Sequence, residues 1–251
     1  MLKSNKIIQS FWHGHSLSQI EILCIRSFLL NFHEFHLYTY NNDLKNVPPG
    51  CVIKDANEII PESLIFLDSR KSICSFSDYF RVKMLFEKGG WWVDMDIICL
   101  KTFDIKEKYS FSTEYYGNLV HPNIGCIKCP KNSKFLSDYI GVIEDYLKLE
   151  KEVIWGQFGP SLIKNLLSQY ESQKYIHSPE KFIMPKIICS PKNELLFFNL
   201  FKKQNLAQIE EGLDGYSIHL YNELWNCYNL DKSKKFPPDS VLKYLSNKYF
   251  F

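Results

Sequence analysis

Two aspartates, Asp94 and Asp96, stand two residues apart directly after the apolar run Trp91–Val93. In a regular β-strand, residues two apart point to the same face of the sheet. Two carboxylates on one face repel each other, and they are costly to desolvate unless a cation compensates them. Mn²⁺ or Mg²⁺ suits this role, because hard cations prefer oxygen ligands and keep positions open for phosphate oxygens. The spacing therefore predicts a divalent-cation site at the end of a strand.

A helix with Ser75 or Ser77 as its N-cap is predicted just before this strand, and a pair of glycines ends it. Asp78 and Arg81 lie three residues apart in that helix, so they share one of its faces. Arg81 is one of only three arginines among 30 basic residues, and its planar guanidinium suits bidentate binding of phosphate or sugar hydroxyls. We expect Asp78, Arg81 and the two aspartates to line one pocket.

A histidine near the carboxyl end of the chain, His219, ends a predicted strand that begins after Gly215. A histidine at a strand end is a natural third metal ligand beside two aspartates. Taken alone, a single histidine is more often a hydrogen-bonded core residue.

The elements that must position these residues alternate along the chain. The sequence predicts a strand at Lys6–Trp12, a helix from Ser16 or Ser18 to about Asn31, and a strand at Phe35–Tyr40. Short connections between such elements favour a parallel sheet of the nucleotide-binding type, in which ligands bind at the carboxyl ends of the strands. We also expect a strand at Ile97–Leu100 in the middle of the sheet. Further along, we expect a short strand at Lys181–Pro185 and a helix at Asn193–Gln204.

The string Ser77-Asp-x-x-Arg81, a spacer, and Gly89-Gly-x-x-x-Asp94-x-Asp96 resembles the signature of the sugar transferases with a DXD motif. That group includes the Golgi initiating α-mannosyltransferases, the α-1,4-galactosyltransferases and bacterial enzymes of polysaccharide assembly, and the large glucosylating toxins carry a related version. A bare D-x-D is a weak signal, whereas the extended string in this order is specific. The resemblance implies an α/β fold of the GT-A type: a single Rossmann-like domain whose mostly parallel central sheet is flanked by helices.

The resemblance also implies roles for individual residues on the donor side. Ile8-Gln-Ser-Phe-Trp12-His-Gly14 is similar to a family segment whose aromatic residue stacks near the donor's base, although Trp12 could equally be a core tryptophan. Asp78 and Arg81 would hold sugar hydroxyls. The metal ligands would be Asp94, Asp96 and His219, with Asp94 also contacting the donor, and Asn222 and Trp225 would contact the diphosphate or close over it.

A polar residue near the anomeric carbon is less well defined by the sequence. Ile154–Ile163 resembles a family T-G-P element, but Phe158 replaces the usual hydroxyl residue. Gln157 or Ser161 could supply the polar group, and Asn123 is a further candidate for sugar contact. Gly159-Pro160 could also be no more than a helix start.

The resemblance implies a retaining hexosyltransferase that takes a nucleotide sugar, preferably a UDP-sugar, as donor. The expected acceptor is a hydroxyl of a growing bacterial surface glycan, such as capsule, lipopolysaccharide, O-antigen or another lipid-linked oligosaccharide. Two alternatives stay open: a protein-glycosylating effector, and a metal- or carbohydrate-binding module without catalysis.

Composition limits the other possibilities. A net charge of +2 over 251 residues gives no field that would call for nucleic acid. Eight cysteines, most of them in apolar runs, suit buried thiols in a reducing compartment. The sequence shows no signal peptide and no apolar run of the ~18 residues that a membrane span requires. These features favour a cytoplasmic bacterial enzyme, either free or held peripherally on the inner face of the membrane, or a trimmed chain.

We divide the chain into a transferase domain at 1–230 and a basic, aromatic tail at 231–251. Such a tail could rest on an anionic membrane surface. It could instead form a terminal helix that packs Leu242, Leu245 and Tyr249 on the domain.

Overall fold

A computed structural model describes residues 2–187 and 196–250. Its main sheet has six strands in the order β3-β2-β1-β4-β7-β6, and a second sheet pairs β5 with β8. The strands are β1 Ile7–Phe11, β2 Glu34–Thr39, β3 Cys51–Asp55, β4 Gly90–Val93, β5 Ile97–Cys99, β6 Ser110–Tyr116, β7 Leu119–Cys129 and β8 Ser217–His219.

Helices cover both faces of this sheet. They are α1 Lys3–Lys6, α2 Gln19–Leu30, α3 Cys74–Lys88, α4 Lys134–Leu147, α5 Pro160–Leu167, α6 Pro179–Phe182, α7 Leu206–Gly212, α8 Asn222–Cys227 and α9 Val241–Phe250. Short 3₁₀ helices lie at Ala56–Glu58, Glu62–Leu64, Gln173–Tyr175 and Leu196–Leu200. None of the helices in the described ranges is long and apolar enough to cross a membrane.

The predicted α/β architecture is confirmed. Strands β1 to β4 run parallel to one another. Strand β7 pairs antiparallel with β4, and β6 pairs antiparallel with β7. Helix α2 begins at a capping box in which the Ser18 hydroxyl accepts from Ile20 N and the Glu21 carboxylate accepts from Ser18 N. The buried residues form two clusters, and strands of the central sheet contribute to both. The sheet therefore presents the carboxyl ends of β1 and β4 at one shared edge.

Four local predictions differ from the structure. Helix α3 has Ile73 at its N-cap and no side-chain cap, because the Ser75 hydroxyl is buried and donates instead to Asp68. Lys181 and Phe182 belong to α6 rather than to a strand, since Pro179 favours a first helical turn. The helix predicted at Asn193–Gln204 falls partly outside the described residues, and the part inside contains a 3₁₀ helix at Leu196–Leu200.

The fourth difference concerns the stretch after β4, which does not continue as a central strand. β4 ends at Val93, and Ile97 N donates to Asp94 O at 3.0 Å, which closes a tight turn. Strand β5 then pairs antiparallel with β8 in the small sheet, with Ile97 opposite His219. The two aspartates thus lie on a turn between two sheets.

The tail of the chain packs on the core instead of standing apart. Helix α9 buries Val241, Leu242, Leu245 and Tyr249. The Tyr249 hydroxyl donates to Cys99 O at 2.6 Å, and Arg26 Nε of α2 donates to Tyr249 O. The apolar face of α9 is therefore covered, and its buried residues belong to the same hydrophobic cluster as residues of α2 and β5.

Candidate active site

The turn after β4 and the end of β8 bring three candidate metal ligands together. Ligand atoms of Asp94, Asp96 and His219 all lie within 4.8 Å of one another. The closest contact joins His219 Nε2 to Asp96 Oδ2 at 3.2 Å. Leu220 N donates to Asp96 O, so the backbone of β8 fixes the turn from the other side. The cluster forms because Ile97 of β5 pairs with His219, and Asp96 directly precedes Ile97 in the chain.

Asp96 and His219 shift each other's pKa values in opposite directions. Burial works to raise the pKa of Asp96, but the His219 imidazolium and the hydrogen bond from Asn222 N outweigh it, and the pKa lies below its usual value. Burial works to lower the pKa of His219, but Asp96, Glu114 and Asp94 outweigh it, and the pKa is raised. The carboxylates around His219 therefore stabilise positive charge at this point.

Asp94 is held by groups on three elements. Arg81 Nη1 lies 3.1 Å from Asp94 Oδ1, and the Trp92 indole N–H donates to the same oxygen at 2.8 Å. On β7, Gly125 O accepts from Asp94 N. A Cβ on Gly125 would lie 2.9 Å from Asp94 Oδ2, so the missing side chain makes room for the carboxylate.

Asp78 is joined to the cluster through Arg81, whose Nη2 lies 3.0 Å from Asp78 Oδ1. Burial raises the pKa of Asp78 to about 6, although Arg81 acts in the opposite direction. A Cβ on Gly159 would lie 2.7 Å from Asp78 Oδ2, so the loop before α5 touches this carboxylate. The four residues predicted to line one pocket are thus linked in one network.

The donor set fits a divalent cation. Two carboxylates and an imidazole suit Mn²⁺ and related ions. His219 Nδ1 is buried and has no hydrogen-bond partner among the described residues, although a ligating histidine ordinarily uses both ring nitrogens. The side chains of Asp96 and His219 are only 6% and 11% exposed, while that of Asp94 is 29% exposed, so one side of the cluster is open.

Two residues predicted for the donor also carry buried polar atoms without partners in the described part of the chain, Trp12 Nε1 and Asn222 Oδ1. Trp12 follows β1 and is half-buried, and its ring lies against Gly14. Asn222 begins α8, and its backbone N donates to Asp96 Oδ2 at 2.6 Å. Buried polar atoms of this kind ordinarily have a partner, which a ligand could supply.

Two other predicted residues are not open to a ligand in this structure. Trp225 is 2% exposed and its indole N–H donates to Leu220 O, so its ring supports β8 from the core. Its predicted role, to contact the diphosphate or close over it, stays a prediction. Gln157 Oε1 accepts from Ile154 N within its own turn.

The structure adds residues that sequence reasoning did not select. Glu114 on β6 is hydrogen-bonded to Asn123 and Tyr221, and burial raises its pKa. Glu21 is fully buried beside Asn222. The capping-box spacing Ser18-x-x-Glu21 could have indicated Glu21, whereas nothing in the sequence around Glu114 distinguishes it.

Two cavities of about 290 and 340 Å³ lie elsewhere in the molecule. The first is lined by aromatic residues such as Tyr109 and Tyr175, and the second lies between α7 and α9. No residue of the aspartate–histidine cluster lines either of them.

Comparison with known proteins agrees with this geometry. Residues 18–112 match the family model described as a glycosyltransferase sugar-binding region containing a DXD motif. The matched range includes Asp78, Arg81, Asp94 and Asp96 and ends before His219. No curated protein matches the chain.

Among solved structures, the glycosyltransferase domain of the YGT toxin shares the fold, with a TM-score of 0.52 and 8% identity over 97% of this chain and 94% of that one. The PaToxG glycosyltransferase has a TM-score of 0.49 and 18% identity over 66% of this chain and 69% of that one. The glycosyltransferase GlyE of Streptococcus pneumoniae TIGR4 has a TM-score of 0.47 and 15% identity over 98% of this chain and 63% of that one.

Residues 18–112 therefore resemble a glycosyltransferase sugar-binding region, and the chain shares the fold of a toxin glycosyltransferase domain. The predicted GT-A fold and the predicted resemblance to the DXD sugar transferases are confirmed.

Proposed function

We propose that this chain is a metal-dependent, retaining glycosyltransferase that moves a hexose from a nucleotide sugar, preferably a UDP-sugar, to a hydroxyl of a growing bacterial surface glycan. The observation that carries the proposal is the proximity of two sets of groups: Arg81 joins Asp78 to Asp94, and Asp94 lies within 4.8 Å of the ligand atoms of Asp96 and His219. It joins a pair of groups suited to sugar hydroxyls to a set of ligands suited to the cation of a diphosphate.

Asp94, Asp96 and His219 would hold Mn²⁺ or Mg²⁺, which when bound neutralises charge on a departing diphosphate. Asp78 and Arg81 would bind and orient the donor sugar. The indole of Trp12 would contact the base, and Asn222 would contact the diphosphate side of the donor. The guanidinium of Arg81 is held in position because it donates to Ile124 O and pairs with the carboxylates of Asp78 and Asp94.

In the proposed step, the bond between the anomeric carbon and the β-phosphate oxygen breaks, and the acceptor oxygen bonds to the same face of that carbon. The proton of the acceptor hydroxyl passes to the departing phosphate, so no protein base is required. Gln157 or Asn123 would stabilise the positive charge that develops on the sugar ring. Asn123 is 7% exposed and hydrogen-bonds to Gly125 N, beside the site of Asp94.

A binding screen tests the class of donor. We expect UDP-sugars to raise the melting temperature only when Mn²⁺ is present, because the donor's diphosphate and the carboxylates would share the cation. A rise with GDP-sugars alone would change the assigned nucleotide, and the absence of any metal-dependent response would refute the proposal. Transfer to a protein hydroxyl, and to no glycan, would favour the effector alternative.

Asp96→Asn tests the site itself. The amide still accepts a hydrogen bond from Asn222 N, so we expect the melting temperature to change little. Sugar transfer at saturating Mn²⁺ should fall by about 100-fold or more, because a ligand charge is lost. Asp145→Asn, at an exposed position on α4, is the matched control and should keep full activity. Turnover of Asp96→Asn equal to that of the wild type would refute the assigned site.

A further inference from the structure

A buried carboxylate, Glu21, joins a lysine to Asn222 of the candidate site. Glu21 has no exposed surface. Its Oε2 accepts from Ser18 N at 2.7 Å, and its Oε1 accepts from Asn222 Nδ2 at 3.2 Å and lies 3.3 Å from Lys232 Nζ. A carboxylate removed from water needs a cation and hydrogen bonds, and Lys232 supplies the cation.

The position of Lys232 follows from its contacts. Asn222 shares Glu21 Oε1 with the lysine, and its backbone N donates to Asp96 Oδ2. Glu21 and Asn222 therefore connect the ammonium group, through direct contacts, to a candidate metal ligand. The Lys232 side chain is 20% exposed, and an ammonium has three donors, so it can serve a further acceptor while it keeps Glu21.

The charges of the candidate site leave room for one more cationic side chain. The carboxylates of Asp94 and Asp96 offset the charge of one divalent cation. Arg81 is already shared between Asp78, Asp94 and Ile124 O. A departing nucleoside diphosphate gains negative charge that these groups do not compensate.

We propose that Lys232 is a further catalytic residue, which donates a hydrogen bond to the β-phosphate of the nucleotide, and that Glu21 is the positioning residue that holds it. This inference rests on the proposed function. When the bond between the anomeric carbon and the β-phosphate oxygen breaks, the electron pair stays on that oxygen and the ammonium stabilises it. Lys232 remains protonated throughout, because the acceptor's proton goes to the phosphate.

The test compares nucleotides with and without the β-phosphate. The affinities of UDP and UMP are measured by calorimetry with Mn²⁺ for the wild type, Lys232→Met and Lys234→Met. Lys234 is an exposed lysine two residues away, so its variant is the matched control. We expect Lys232→Met to weaken UDP by about 10-fold or more, in line with the loss of one charge-assisted hydrogen bond, and UMP by less than about 2-fold. Lys234→Met should change neither, and Lys232→Arg should recover part of the loss.

Equal weakening of UDP and UMP in Lys232→Met, or no weakening of either, would overturn the assignment, because a purely structural lysine would not distinguish the two nucleotides. If Lys232→Met does not fold, the double variant Glu21→Gln with Lys232→Met removes the unpaired buried charge. The loss of affinity for UDP is then compared with that for UMP in the double variant. A wild type that binds GDP but not UDP would change the nucleotide, and GDP and GMP would then replace UDP and UMP in the comparison. A wild type that binds neither UDP nor GDP with Mn²⁺ would reject the proposed function itself, and the inference with it.

Discussion

At the scale of single residues, the candidate site depends on close approaches that only small residues permit. Gly125 on β7 leaves space for the Asp94 carboxylate, and Gly159 leaves space for Asp78. The sequence predicted the charged residues, because their types and spacing carry chemical information. It did not indicate these two glycines, since the space that they leave is defined only when separate elements meet.

Gly125→Ala is expected to disturb metal binding more than folding. The new Cβ would lie 2.9 Å from both Asp94 Oδ2 and Asn123 Oδ1, which are side-chain ends that can move away at little cost. Moving Asp94 removes one ligand, so Mn²⁺ affinity, measured by calorimetry, should fall by about 10-fold or more. Gly141→Ala in α4 is the control, since nothing lies within 4 Å of its Cβ. We expect that control to be more stable by about 1 kcal/mol, with unchanged Mn²⁺ affinity. Unchanged affinity in Gly125→Ala as well would show that Asp94 is not a ligand.

At the scale of secondary structure, helices α2 and α3 and strands β1 and β2 could be predicted because each has a regular pattern of apolar residues. The turn at Asp94–Asp96 could not, because Ile97–Leu100 is as apolar as a central strand and only its pairing with β8 shows that it belongs to another sheet. The predicted cation site is nevertheless retained, since a turn and a strand both bring residues two apart close together. The burial of Trp225 could not be predicted for a related reason, as a motif gives the order of residues but not the direction of a side chain.

Leu245→Ala tests whether α9 is part of the stable core or an appended tail. Leu245 has no exposed surface and packs in the cluster that also contains β5. We expect chemical unfolding to remain one transition and the free energy of unfolding to fall by about 3 kcal/mol, as for other buried leucines. Asn247→Ala, at an exposed position of the same helix, should change it by less than about 0.5 kcal/mol. A loss below about 1 kcal/mol in Leu245→Ala would support the boundary at residue 230 and a separable tail.

At the scale of the whole molecule, stability should depend on pH through His177. This residue lies between β6 and α6: its N donates to Phe111 O, and its O accepts from the Thr113 hydroxyl. Burial, together with the charge of Lys181, lowers the pKa of His177 to about 4. The unfolded chain therefore binds more protons than the folded one between about pH 6.5 and pH 4. The contribution of His177 is present above that window and is lost as the pH falls through it.

His177→Gln should reduce this dependence, because glutamine can still accept a hydrogen bond from Lys181 but does not titrate. We expect the loss in unfolding free energy between pH 6.5 and pH 4 to be smaller in the variant by about 1 kcal/mol, a value discounted for the partial exposure of the ring. Urea unfolding at several pH values measures it. His13→Gln, at an exposed position, is the control. Parallel curves for wild type and His177→Gln would contradict the assignment.

The hydrogen bond from the Trp92 indole to Asp94 Oδ1 has a practical consequence. This tryptophan is 1% exposed, and its ring also lies 4.9 Å from the Arg81 guanidinium. An ion that draws the Asp94 carboxylate toward itself would alter the surroundings of a shielded fluorophore. The light that the protein emits on its own thus offers a way to follow cation binding in real time, without any added dye.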